Sequence, residues 1–240
     1  LLGGQGAEHS CRSTSFDEPL TPTNFNIKKA SRQGSSATLD AIDIDSRGVY
    51  VQRGGIRVFE LSFDGETSDY NSSQLSQLCP TIGSPGIIRM AVQRQPDTRV
   101  HFIRSNGTAA VLIFDKVENV ICWLEVTTPG ATGLIEDVLV LPSDEGEQED
   151  HVYYVVTRTI GGATKRFLER WATEDQCKGD QQLCRLADSF VTYTGAATWV
   201  ISAPHLANQN VVVWADGADI GTIDNDDGTV AVRASIFCES

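Results

Sequence analysis

The sequence is poor in basic residues. Its 19 Lys and Arg face 32 Asp and Glu, a formal net charge of −13. A nucleic-acid surface needs clustered Lys and Arg to neutralise phosphate, and an anionic membrane surface needs them too. The balance therefore argues against both as binding partners. No apolar run approaches the roughly 20 residues that span a bilayer. The opening Leu1–Gln5 has neither a basic region nor a long apolar region, so it does not read as a signal peptide. With no initiating Met, the chain reads as a processed product or a fragment.

Chemistry is scarce as well. There is no G-x-S-x-G elbow, no phosphate-binding Walker loop and no dinucleotide fingerprint. The six cysteines (Cys11, Cys79, Cys122, Cys177, Cys184 and Cys238) include no C-x-x-C pair, which counts against zinc. Cys122 lies in an apolar run and reads as a buried small hydrophobe. Cys177 and Cys184 flank a polar loop and would bridge only if that loop folds back, which a reducing compartment disfavours. The sequons at Asn71 and Asn106 read as ordinary turn residues.

What is present is strand and turn. Val49–Gln52 and Ile56–Phe63 alternate apolar and polar residues on either side of Gly54-Gly55, a hairpin signal. Strands are expected at Leu39–Ile44, Val49–Gln52 and Ile56–Phe63. A further four are expected at Ile87–Val92, Val100–Arg104, Ala109–Asp115 and Val120–Val126, with Asn106-Gly107 as a tight turn. Ile135–Leu141, Val152–Arg158 and Thr164–Arg170 repeat that order, at an offset of 48 to 54 residues. A helix is expected over Ser68–Leu78, stopped by Pro80. Residues 1–37 read as an extended arm or connector. After a polar excursion at Cys177–Arg185, six short strands from Phe190 to Phe237 suggest a small β-barrel or sandwich.

A four-stranded meander repeated every 40 to 50 residues or so is the signature of a β-propeller blade. The expected fold is thus all-β. Residues 38–189 would form propeller-like blades in an incomplete set, and 190–240 a small β domain.

None of the four histidines, His9, His101, His151 and His205, is spaced in sequence with another ligand as metals require. His101 reads as a half-buried strand residue, and His205 as fixing its turn. Asp224–Gly228 lacks the spacing of a calcium loop and reads as a hairpin turn. Asp144–Asp150 reads as a solvated acidic tip. Arg104 and Arg158 occupy equivalent strand ends, where a sialidase-like arginine cluster is the sharper reading and a blade-edge charge the plainer one. The expectation is no catalytic residue, no metal, no cofactor and no enzymatic activity.

The order of landmarks adds a resemblance. Pro19–Thr23 precedes Ser31–Gly34, then Val51–Gly55 with Phe59–Phe63, then Gly86–Ala91 before Gln95–Asp97. Asn106-Gly107 precedes Val120–Trp123, and Val156–Ile160 precedes Phe167–Arg170. Pro204–Leu206 and Val213–Gly217 close the series. Together these resemble the tail-tubular B, or nozzle, proteins of short-tailed bacteriophages and related prophage tail proteins, over most of residues 19–230. Members of that family are usually several times longer, and the Cys177–Cys184 loop departs from the pattern.

The resemblance implies a structural virion protein, assembled in the bacterial host cytoplasm into a tail ring, typically a hexamer. The ring would contact an adaptor on the portal side and the tail tip, and DNA would pass through it without specific binding. An acidic channel wall fits free sliding of DNA. The alternative is a receptor- or glycan-binding propeller module at the tail surface, with exposed aromatics such as Trp199 and Trp214 in one concave site. A propeller hydrolase is a third option, needing a carboxylate pair or an arginine cluster.

Overall fold

The computed structural model describes residues 2–13, 15, 18–66, 68–128, 133–160, 162–174, 176, 191–193, 195–196, 198–215 and 218–231. Among them the chain is all-β, built from antiparallel sheets of two to four strands, none of them closed into a ring. The chain divides into two compact units, residues 1–127 with 136–152, and residues 128–135 with 153–240.

The first unit opens with a three-stranded sheet of β1 (Leu2–Gly3), β2 (Glu8–Ser13) and β3 (Phe25–Ser31). Residues 1–37 therefore hold regular structure, although read from sequence as an arm or connector. Their side chains are mostly polar, and their order comes from ladder bonds and not from an apolar stripe.

Two four-stranded meanders follow. The first is β4 (Ile42–Ile44), β5 (Arg47–Val51), β6 (Val58–Asp64) and β7 (Asp69–Gln74), hydrogen-bonded in chain order. The second is β8 (Ile87–Gln93), β9 (Arg99–Arg104), β10 (Ala109–Asp115) and β11 (Val120–Val126), in the same up-and-down order. One apolar cluster joins them, including Val49, Val51 and Val58 from the first and Val100, Phe102 and Leu112 from the second. All six are no more than 1 % exposed. At about 1.5–3 kcal/mol for each such side chain taken from water, this shared core is the main force holding the two sheets together.

The helix expected at Ser68–Leu78 is not formed. Residues 69–74 are β7, paired with β6 from Phe63↔Tyr70 to Phe59↔Gln74. Asp, Asn and Ser are weak helix formers, and the ladder of β6 offers their backbone a full set of partners. The Phe63 and Tyr70 rings meet edge-on at 5.5 Å. The Gly54-Gly55 turn is also wider than a two-residue hairpin. Val51 pairs with Val58, and the loop between them closes through Gln52 N–H donating to Arg57 O and Gly55 N–H to Gln52 O. Gly55 takes a φ of 76°, the left-handed region that favours glycine.

Beyond the meanders, β12 (Leu134–Leu141), β13 (His151–Ile160) and β14 (Ala163–Arg170) form a three-stranded sheet in chain order. The β13–β14 hairpin runs from Tyr153↔Arg170 to Ile160↔Ala163.

The second unit ends in two short ribbons. β15 (Val200–Ser202) pairs with β18 (Thr229–Ala231), and β16 (Gln209–Ala215) with β17 (Ala218–Asn225). Ala203, Val213 and Val230 form their small buried core. Val191–Tyr193 is not a strand, contrary to expectation. The expected strand at Ser235–Phe237 and the Cys177–Cys184 loop, with any bridge between those two cysteines, lie outside the described residues.

Candidate functional site

The arginines singled out from sequence are each closed by a carboxylate of their own sheet. Arg104, 5 % exposed, meets Glu125 at 2.7 Å and donates to Thr108 Oγ1 and the Ile82 carbonyl. Arg158 grips Glu169 through two nitrogens, at 2.8 and 2.9 Å. Such bidentate pairs satisfy the guanidinium in place. Arg104 ends β9, whereas Arg158 lies two residues before the end of β13, and in both the charge serves the sheet.

His101 is fully buried on β9, beyond the half-burial expected, and its Nε2 lies 3.3 Å from Gln93 Oε1. Burial, with a smaller contribution from Arg99, pushes its pKa down to about 4, so it is neutral at physiological pH. His9 lies on β2. His205 sits in a 3-10 turn at Pro204–Leu206. That turn is held by Asn225, whose Nδ2 donates to the carbonyls of Ala203 and Leu206 at 3.2 and 3.0 Å. Asn225, in the Asp224–Gly228 segment, is thus a buried structural clamp. Cys122 is exposed, contrary to expectation. It lies on β11, the outermost strand of its sheet, where even an apolar run faces solvent.

A groove of about 610 Å³ opens where the turns β4–β5, β8–β9 and β10–β11 converge in the first unit. It is lined by Arg47, Arg94 and Lys116 together with Asp45, Asp97, Asp115 and Glu118. The cations are largely engaged by the fold. Lys116 Nζ lies 2.8 Å and Arg47 Nη1 4.0 Å from the buried carboxylate of Glu60, and Arg94 donates to the Asp43 carbonyl at 2.9 Å. Lys116 Nζ also stands 5.5 Å over the Phe114 ring. Asp115 accepts from the N–H groups of Val117 and Glu118. The groove presents charges already tied into the turns.

The acidic loop between β12 and β13 is exposed over residues 144–148, as a solvated tip is, and it is anchored at its ends. Asp150 Oδ2 accepts from the N–H groups of Arg94 and Gln95, at 2.7 and 3.0 Å, and Ser143 Oγ lies 3.1 Å from Gln95 Oε1. This anchoring brings Asp144, Glu147 and His151 together, with one ligand atom from each lying within 4.8 Å of the others. The sequence spacing D-x2-E-x3-H was the available signal, and it is uninformative until the loop conformation is known.

Buried polar groups elsewhere serve packing. Glu8, fully buried, accepts from Ser35 Oγ at 3.0 Å. Tyr50 donates to or accepts from Ser72 Oγ at 2.8 Å, and burial raises its phenol pKa. The second unit exposes aromatics: Trp199 is 62 % and Trp214 50 % accessible, with Val212 at 60 % beside Trp214 on β16.

No protein-family model matches the chain, and no curated protein matches it.

Proposed function

We propose that the chain is a structural component of a phage tail, acting by assembly into a ring around the DNA exit channel. The observation that carries this reading is the pair of consecutive four-stranded meanders, β4–β7 and β8–β11, sharing one apolar core. That is the unit from which propeller arrays are built. The ordered landmarks from Pro19 to Gly217 resemble that family, and the acidic balance suits a wall along which DNA slides. The reading assigns the protein no reaction. Arg104 and Arg158 pair within their own sheets, and the proposed work lies in surfaces between copies and toward neighbouring tail proteins. Electron microscopy of the purified chain tests it. Rings with a central opening support the reading, and single particles at every concentration overturn it.

A glycan- or receptor-binding module is the second reading. It is favoured by one observation, the exposed indoles of Trp199 and Trp214. Glycan-array binding that is lost in Trp214→Ala would establish it in place of the first.

A further inference from the structure

We propose that Asp144, Glu147 and His151 form a binding site for a divalent transition-metal ion of the zinc class. The carboxylates come from the β12–β13 loop, whereas the imidazole comes from the first residue of β13. His151 Nε2 lies 2.6 Å from Glu147 Oε2, and the Asp144 N–H donates to the same oxygen at 3.2 Å.

The imidazole separates this site from an ordinary acidic loop. Its side chain is 11 % exposed, against 47 % for Glu147. The strand and its packing therefore hold the nitrogen in place, with the exposed carboxylates beside it. One nitrogen and two carboxylate oxygens form a borderline donor set that suits zinc, whereas magnesium and calcium prefer oxygen alone. Three protein ligands leave a fourth position for water.

The geometry needs only side-chain adjustment. Zinc bonds of about 2.0–2.2 Å put tetrahedral ligand atoms roughly 3.4 Å apart. The 2.6 Å contact opens and the longer separations, up to 4.8 Å, close. Asp144 and Glu147 are exposed, so their carboxylates can reorient toward the ion without displacing packed neighbours. The loop is braced at both ends by Gln95, through Ser143 and Asp150, so little backbone order remains to be gained on binding. Asp144, Glu145, Glu147, Glu149 and Asp150 also crowd five carboxylates into seven residues, a repulsion that a cation relieves.

The test is calorimetric titration of the full chain with zinc chloride after chelator treatment. The expected result is one ion per chain, with affinity reduced at least tenfold in both His151→Ala and Glu147→Gln. Glu145→Gln, in the same loop but outside the triad, should bind within about threefold of the parent. Magnesium at the same concentration should not displace the zinc. Glu147→Gln changes an exposed side chain and guards against misfolding of the histidine variant. Absence of binding overturns the proposal. So does equal weakening by Glu145→Gln, or equal competition by magnesium, either of which reduces the site to a diffuse acidic loop.

Discussion

The indole Nε1 of Trp123 donates to the backbone carbonyl of Leu75 at 3.1 Å, a bond between the last strand of the second meander and the residue that follows β7 in the first. The same ring lies 5.5 Å from Phe102, at the centre of the shared core. Trp123→Phe keeps an aromatic ring there and loses the bond, which should cost about 1 kcal/mol. Trp123→Ala removes both and should cost about 2–4 kcal/mol. Urea denaturation of the three proteins measures the difference. Equal stability of Trp123→Ala and the parent would show that the two meanders do not rely on this contact.

Acid should weaken the fold through His101. Its folded pKa is about 4, whereas an unfolded histidine titrates near 6.5. Between those values the unfolded chain binds more protons. The contribution of the neutral buried ring is therefore complete above about pH 6.5, and it falls as pH drops toward 4, by an amount on the order of 3 kcal/mol. Below about 4 the loss levels off. His101→Gln, which cannot take up the proton, should flatten this part of the stability–pH curve. An unchanged slope between pH 4 and 6.5 would contradict the assignment.

Glu60 is the carboxylate most dependent on partners. Only 4 % exposed, it is held by Lys116 at 2.8 Å and by Ser73 Oγ at 2.8 Å, with Arg47 farther off. Lys116 is itself 31 % exposed, so its charge is partly screened. Lys116→Met should destabilise by about 1–3 kcal/mol because it strands a buried charge. In the Glu60→Gln background the same change should cost clearly less. A double-mutant cycle with no coupling between these two positions would contradict this account.

Gly83 marks a close approach of backbone to backbone. A Cβ built there would lie 2.3 Å from the Ile56 carbonyl oxygen, and a carbonyl cannot swing aside as a flexible side chain can. Gly83→Ala should lower the thermal midpoint by several degrees, whereas Gly65→Ala, with open space around it, should not. Calorimetry of both variants decides the matter.

The legible part of the fold is the part whose signals are local. The strands β10 and β11 match the sequence reading to the residue because apolar runs meet turn residues at both ends, and Gly107 takes the positive φ of 78° that the Asn106-Gly107 turn requires. β7 is not legible from sequence because Asp69–Gln74 is polar and carries no period of its own. It is a strand through what it pairs with. The exposure of Cys122 is hidden for a related reason, since apolarity does not reveal whether a strand is central or outermost. The clustering of Asp144, Glu147 and His151 depends on a loop pinned by Asp150 to the backbone of Arg94 and Gln95, more than 50 residues away in the chain. No local pattern encodes such an anchor.

The central claim, assembly into a ring, is tested most directly by the mass of the purified chain in solution, by light scattering over a concentration series. The account predicts one discrete multiple of the 26.0 kDa chain, stable across the series. A strict monomer at every concentration would contradict it.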